Sequence, residues 1–174
     1  MNDLTLTLAL TRRMAGLCLL GAGLALGGAA QARGFAHVGN GASGGTVVAG
    51  QRGVAANAHT STQNGDGSTT WRSTGGFAGA NGARGYHQSS TTVGADGSVS
   101  RSGSAAASGA NGSVQTSGGF ARSADGTWSG SRATTATNAR TGNSYSGSTT
   151  IDPATGKPVH TGSCTNAAGA AIAC

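Results

Sequence analysis

The chain has 174 residues, 33 of them Gly, contains no Glu, and carries a formal net charge of +6. All nine leucines lie at or before Leu26, and from Arg33 onward only 17 of 142 residues are Val, Ile, Phe, Trp or Tyr. So little apolar area excludes a conventional globular core, since it cannot offset chain entropy of roughly 1–2 kcal/mol per residue.

Residues 1–32 read as a secretory signal peptide. Arg12 and Arg13 precede an apolar run from Met14 to Ala29, and Ala30-Gln31-Ala32 is a small-x-small cleavage site. The run is short and Gly-rich, which argues against a membrane anchor. Ala15-Gly16 follow the two arginines where a twin-arginine signal carries bulkier residues. Leu17 before Cys18 does not suit lipid attachment. Cleavage removes two Arg and Asp3, leaving nine basic residues against four Asp, or +5. That balance, with no recognition motif, does not indicate nucleic acid.

Residues 33–53 form a Gly/Ala/Val-rich segment, expected as a less regular first pair of strands or a flexible lead-in, with weak turn signals at Asn40-Gly41 and Gln51-Arg52-Gly53. A ladder of turns then begins: Asp66-Gly67, Asn81-Gly82, Asp96-Gly97, Asn111-Gly112 and Asp125-Gly126. Their glycines step by 15, 15, 15 and 14 residues. Asn-Gly and Asp-Gly suit two-residue type I′ hairpin loops. Between them, apolar and small polar residues alternate with period 2, as in Val99, Arg101, Gly103, Ala105, Ala107 against Ser98, Ser100, Ser102, Ser104. Val114, Thr116, Gly118, Phe120 and Arg122 form a second such set, and Tyr145, Gly147, Thr149 and Ile151 a third.

The fold class expected for residues 54–174 is all-β: an antiparallel meander of about seven to nine strands in units of roughly 15 residues. A single sheet, a sandwich and an open barrel all fit. A β-solenoid and partial disorder are the alternatives. Two-residue loops at Asn81-Gly82, Asp96-Gly97 and Asn111-Gly112 pair Phe77 with Tyr86, Tyr86 with Ala107, and Gly103 with Phe120. The shorter step to Gly126 demands a three-residue loop, Ala124-Asp125-Gly126, closed by a left-handed glycine, with Arg122 opposite Trp128. Further turns are expected at Thr141-Gly142, Thr155-Gly156 and near Gly169, with Pro158 at a strand start or sheet edge. Cys164 and Cys174 flank the last turn, and an exported chain permits them to cross-link that hairpin.

Catalytic chemistry is hard to assemble. His37, His59, His87 and His160 have no metal-ligand spacing. Asp66, Asp96, Asp125 and Asp152 all belong to turns, so no carboxylate remains for acid–base work. No enzyme activity and no cofactor are expected. Trp71, Phe77, Tyr86, Phe120, Trp128 and Tyr145, with Arg101, Arg122 and Arg132, form a candidate ligand strip for an anionic polysaccharide; a thin packing seam is the plainer reading. In composition the chain resembles exported repeat proteins such as curli subunits and ice-nucleation proteins. It lacks the regularly spaced Gln and Asn of the first and the Thr-x-Thr ladders of ice-binding solenoids, so no family follows. The expected role is an exported bacterial structural protein, self-associating at the cell surface or in extracellular matrix, with a periplasmic location as another option. A polysaccharide- or polyanion-binding module is the alternative.

Overall fold

A computed structural model describes residues 34–174; the expected signal peptide lies outside the described residues. Eleven strands follow one another: β1 (Gly34–Gly39), β2 (Ser43–Gly50), β3 (Gly53–Gln63), β4 (Thr69–Gly79), β5 (Arg84–Val93), β6 (Val99–Gly109), β7 (Gly112–Arg122), β8 (Trp128–Asn138), β9 (Ser144–Ile151), β10 (Pro158–Thr165) and β11 (Ala171–Ile172). They form one antiparallel meander in strict chain order, not closed into a barrel. Every strand contacts only its neighbours in sequence. The lead-in contains two strands, β1 and β2. Pro158 opens β10 and pairs only with Ile151 of β9, where its missing N–H costs no ladder bond.

The turns differ from the type I′ expectation. No residue other than Gly has positive φ among the described residues, so Asp66, Asn81, Asp96, Asn111 and Asp125 are not left-handed. At 65–67, 80–82, 95–97 and 124–126 the chain makes three-residue loops, each with a left-handed Gly at its end and an N–H from that Gly to the carbonyl three residues back. The preceding Asp or Asn accepts the backbone N–H two residues on: Ser68 to Asp66 at 2.9 Å, Ala83 to Asn81 at 3.2 Å, Ser98 to Asp96 at 2.9 Å and Thr127 to Asp125 at 2.9 Å. These Asx bonds favour the type I turn with a glycine bulge over its primed rival. The three-residue loop at 124–126 and the Arg122–Trp128 pair match expectation.

Register changes accordingly. Phe77 lies opposite Gly85, not Tyr86; Tyr86 lies opposite Ala106, not Ala107; Phe120 lies opposite Arg101, not Gly103. A one-residue slip turns a strand's side chains over. The slips at the β4–β5 and β5–β6 loops cancel, and the two-residue shift at β6–β7 preserves face. Among the ladder strands β4 to β7, β5 alone is inverted relative to the sequence expectation, and Tyr86 goes with it.

From β3 onward the turns also divide by end. Asp66, Asp96, Asp125 and Asp152 occupy one end of the strands, while Asn81, Asn111, Asn138 and Asn166 occupy the other. Hydrogen bonds hold all four carboxyls below the usual carboxylate range. The largest cause is the Ser68 hydroxyl for Asp66, the Ser98 side chain for Asp96, the Thr127 backbone N–H for Asp125 and the Ala154 backbone N–H for Asp152. A depressed folded-state value contributes stability above the unfolded value of about 3.9, lost as pH falls through the folded values. Thermal melts should therefore be flat from neutral pH to about pH 5 and fall below about pH 4. Replacing all four Asp by Asn, which keeps the acceptor, should remove that fall.

Packing is thin. Among the described residues no hydrophobic side chain is buried, and Ser68 is the one buried polar residue. Phe35, Trp71, Phe77, Trp128 and Val114 are all exposed. Cohesion comes from the hydrogen-bond ladder and from pairs of side chains lying flat across neighbouring strands.

Candidate functional site

Register sorts the side chains into two unlike faces. One face is a field of small hydroxyls: Ser100, Ser102 and Ser104 of β6, Ser113 and Ser117 of β7, Ser129 and Ser131 of β8, Ser144, Ser146 and Ser148 of β9. Cross-strand hydroxyl contacts such as Thr70–Thr92 at 3.0 Å and Ser148–Thr161 at 2.9 Å run over it. Tyr86 and Gln88 of β5 lie on this face, away from the other expected strip residues.

The opposite face carries Phe35, Trp71, Phe77, Phe120, Trp128 and Tyr145, and all four His. Its largest feature is a row with one residue from every strand, each beside the next: Phe35, Val48, Ala55, Phe77, Gly85, Ala107, Val114, Ala136, Tyr145, Cys164 and Ile172. No polar group interrupts this stripe except the Tyr145 hydroxyl, which meets His160 Nε2 at 3.0 Å. At about 4.8 Å per strand it runs roughly 48 Å across the sheet. A concavity of about 480 Å³ lies over its centre, lined by Val48, Ala55, Phe77, Ala107 and Val114.

The stripe is readable in retrospect. From Val48 to Cys164 its members mostly sit two residues from the loop at the Asn end, as Phe77 does from Gly79, Ala107 from Gly109 and Val114 from Gly112. Aromatic size drew attention to Phe77 and Tyr145 but not to the Val and Ala residues that join them.

Rings on this face lie over glycines of the adjoining strand. A methyl at Gly85 would stand 2.5 Å from Phe77 Cε1, and one at Gly130 would stand 2.9 Å from Phe120 Cδ1. His59 covers Gly44, His87 covers Gly75, and the Tyr145 ring spans Gly147 and Gly162. Such rings shield backbone that lacks a side chain. The histidines serve the sheet as well: His37 Nδ1 meets Thr46 Oγ1 at 3.0 Å, and His160 Nδ1 meets Thr149 Oγ1 at 3.1 Å. Among the described residues no three His, Cys, Asp or Glu side chains converge on one point.

The expected ligand strip divides. Arg101 faces Phe120 directly and Arg122 faces Trp128 directly, while Arg132 stands beside Gly118 on the far side of Phe120. Three exposed Arg residues thus flank one half-buried ring near the Asp end, the Arg122 guanidinium reaching on to the Gly126 turn beside Asp125. A shallow trough of about 190 Å³, floored by Gly103 and Gly118, separates Arg101 from Arg132. Trp71 shares this half of the face, three strands from Phe120. Tyr145 belongs instead to the apolar stripe.

Cys164 and Cys174 form a disulfide with Cα atoms 5.3 Å apart, tying the tail to β10 as expected. β11 adds only two residue pairs to that attachment. No helix among the described residues is long and apolar enough to cross a membrane. Compared with known proteins, the chain matches no family model, no curated protein and no solved structure.

Proposed function

We propose that this is an exported bacterial structural protein that works by associating with itself, at the cell surface or in extracellular matrix. One observation carries the reading: a regular sheet of eleven strands gathers every ring but Tyr86 on one face, yet among the described residues no apolar side chain is buried. A sheet stable on its own normally packs that face on a second layer. Large contiguous apolar patches on soluble proteins mark interaction surfaces, ligand grooves or aggregation-prone faces. The hydroxyl face, rich in Ser and Thr, suits permanent contact with water.

A second reading rests on Arg101, Arg122 and Arg132 around Phe120. Arg pairs bidentately with carboxylate and sulfate, and the ring offers a stacking surface, which together fit an anionic polysaccharide.

One experiment separates the two. The protein is purified as the cell exports it and sedimented over a range of concentrations, with and without a polyuronate, at low and high salt. Self-association predicts a rise in mass with concentration that needs no glycan and persists in high salt. A monomer whose mass rises only with glycan at low salt would favour the second reading and sink the first.

A further inference from the structure

We infer that the partner is a second copy of this chain, laid face to face on the apolar stripe and related by a two-fold axis parallel to the strands through β6. The inference rests on the self-association proposed above and specifies its geometry.

The stripe has eleven members, with Ala107 in the centre. Read inward from both ends, the outer two pairs, Phe35 with Ile172 and Val48 with Cys164, match in size, and the inner three are complementary. The third pair is Ala55 and Tyr145, the fourth is Phe77 and Ala136, and the fifth is Gly85 and Val114. A two-fold axis along β6 lays each of these on its counterpart in the other copy, so a ring or branched side chain meets a small residue. Such reciprocity is what an isologous interface requires, and large-on-small is how facing sheet layers interdigitate. In the neighbouring rows Trp71 of β4 is set against Gly130 of β8 and Arg132 of β8 against Ser73 of β4, while Arg101 of β6, on the axis, stands beside its own copy at the exposed Asp end. The alternative axis, along the stripe itself, places Phe77 on Phe77 and Gly85 on Gly85.

Area is sufficient. The eleven strands hold 97 residues, which at about 4.8 Å by 3.3 Å each give a face of roughly 1,500 Å². Covering half of it on each copy buries about 1,500 Å² in total, within the range of a standard specific interface, and full cover reaches the obligate-homodimer range. The hydroxyl face stays outward on both copies, which limits the assembly to two layers.

The test uses the exported protein with its disulfide intact. Val114→Asp places a charge in the stripe at an already exposed site, and Gln115→Asp places the same charge next door on the opposite face. Val114→Asp should raise the dimer dissociation constant at least about tenfold, while Gln115→Asp should leave it unchanged. Far-UV circular dichroism of both variants confirms that the strands are retained. Nitroxides at Ala107→Cys and, separately, Ala55→Cys then read the axis by pulsed electron resonance. Labels on Ala107 should lie within about 20 Å of each other, given an inter-sheet spacing of about 10 Å. Labels on Ala55 should be further apart, because β3 faces β9 and six strand spacings amount to about 29 Å. Equally short distances at both positions would overturn the axis. An oligomer indifferent to Val114→Asp but abolished by proline at His37 or Val38 of the β1 edge would overturn face-to-face packing, while leaving self-association standing. A monomer at every concentration would remove both.

Discussion

Gly112→Ala is expected to lower the melting temperature by about 3–10 °C. Gly112 opens β7 with φ 142, and a Cβ there would collide with the Thr137 carbonyl oxygen of β8. A side chain at such a backbone costs of order 1–3 kcal/mol before any overlap is counted, and a chain of this size shifts by about 2–4 °C per kcal/mol. Two comparisons isolate the cause. Gly82→Ala meets a left-handed φ of 80 but nothing within 4 Å, so the conformational part alone should remain, about 1 kcal/mol. Gly50→Ala in β2 meets neither obstacle and should be close to neutral. Melts followed by circular dichroism would settle the order 112, 82, 50. Equal losses at Gly112 and Gly82 would mean that β7 and β8 separate there freely.

Cys174→Ser, or reduction of the wild-type protein, is expected to release residues 166–174 and leave β1 to β10 folded. The bridge closes a loop of sequence separation 10, for which the chain-entropy model gives about 2–3 kcal/mol. That stabilisation acts on a hairpin held otherwise by the pairs Cys164–Ile172 and Thr165–Ala171. Since each strand touches only its sequence neighbours, the loss should not spread, as in other quasi-one-dimensional folds. Limited proteolysis with mass analysis should show trimming after Thr165 under reducing conditions and protection when oxidised. The main melting transition should move by no more than a few degrees. Loss of the whole transition on reduction would show that the tail couples to the rest of the sheet.

The sequence made the strands legible and left their register open, for a reason that two identical tetrapeptides display. Gly-Ala-Asn-Gly occurs at 79–82 and again at 109–112. The first makes a three-residue loop, with Gly79 bonded to the Ala83 carbonyl at 2.6 Å. The second makes a two-residue loop, with Gly109 opposite Gly112. Local turn chemistry is the same, so the selection comes from the strands. A two-residue loop at the first site would set Arg84 beside Phe77, whereas the longer loop sets Gly85 there and gives the ring room. A three-residue loop at the second site would turn β7 over and move Val114 and Phe120 onto the hydroxyl face. The alternation within β6, β7 and β9 was readable because it needs one strand only. The basic cluster around Phe120 was readable as a list of residue types, but its compactness and the exclusion of Tyr86 depend on register. The disulfide was readable because two cysteines around one turn leave little choice.

Contact limited to sequence neighbours also makes the sheet's width adjustable. Excising residues 80–109 would join Gly79 to Ala110 and recreate a Gly-Ala-Asn-Gly loop at the junction. Phe77 would then stand beside Val114, both on the same face, and the stripe would continue through nine strands without a break. The Asp turns and Asn turns would keep their ends. Loss of one strand rather than two would exchange those ends for everything downstream. The hairpin of about 30 residues is therefore the unit by which this chain can lengthen or shorten, and the width of the sheet is free to vary without redesign of any surviving contact.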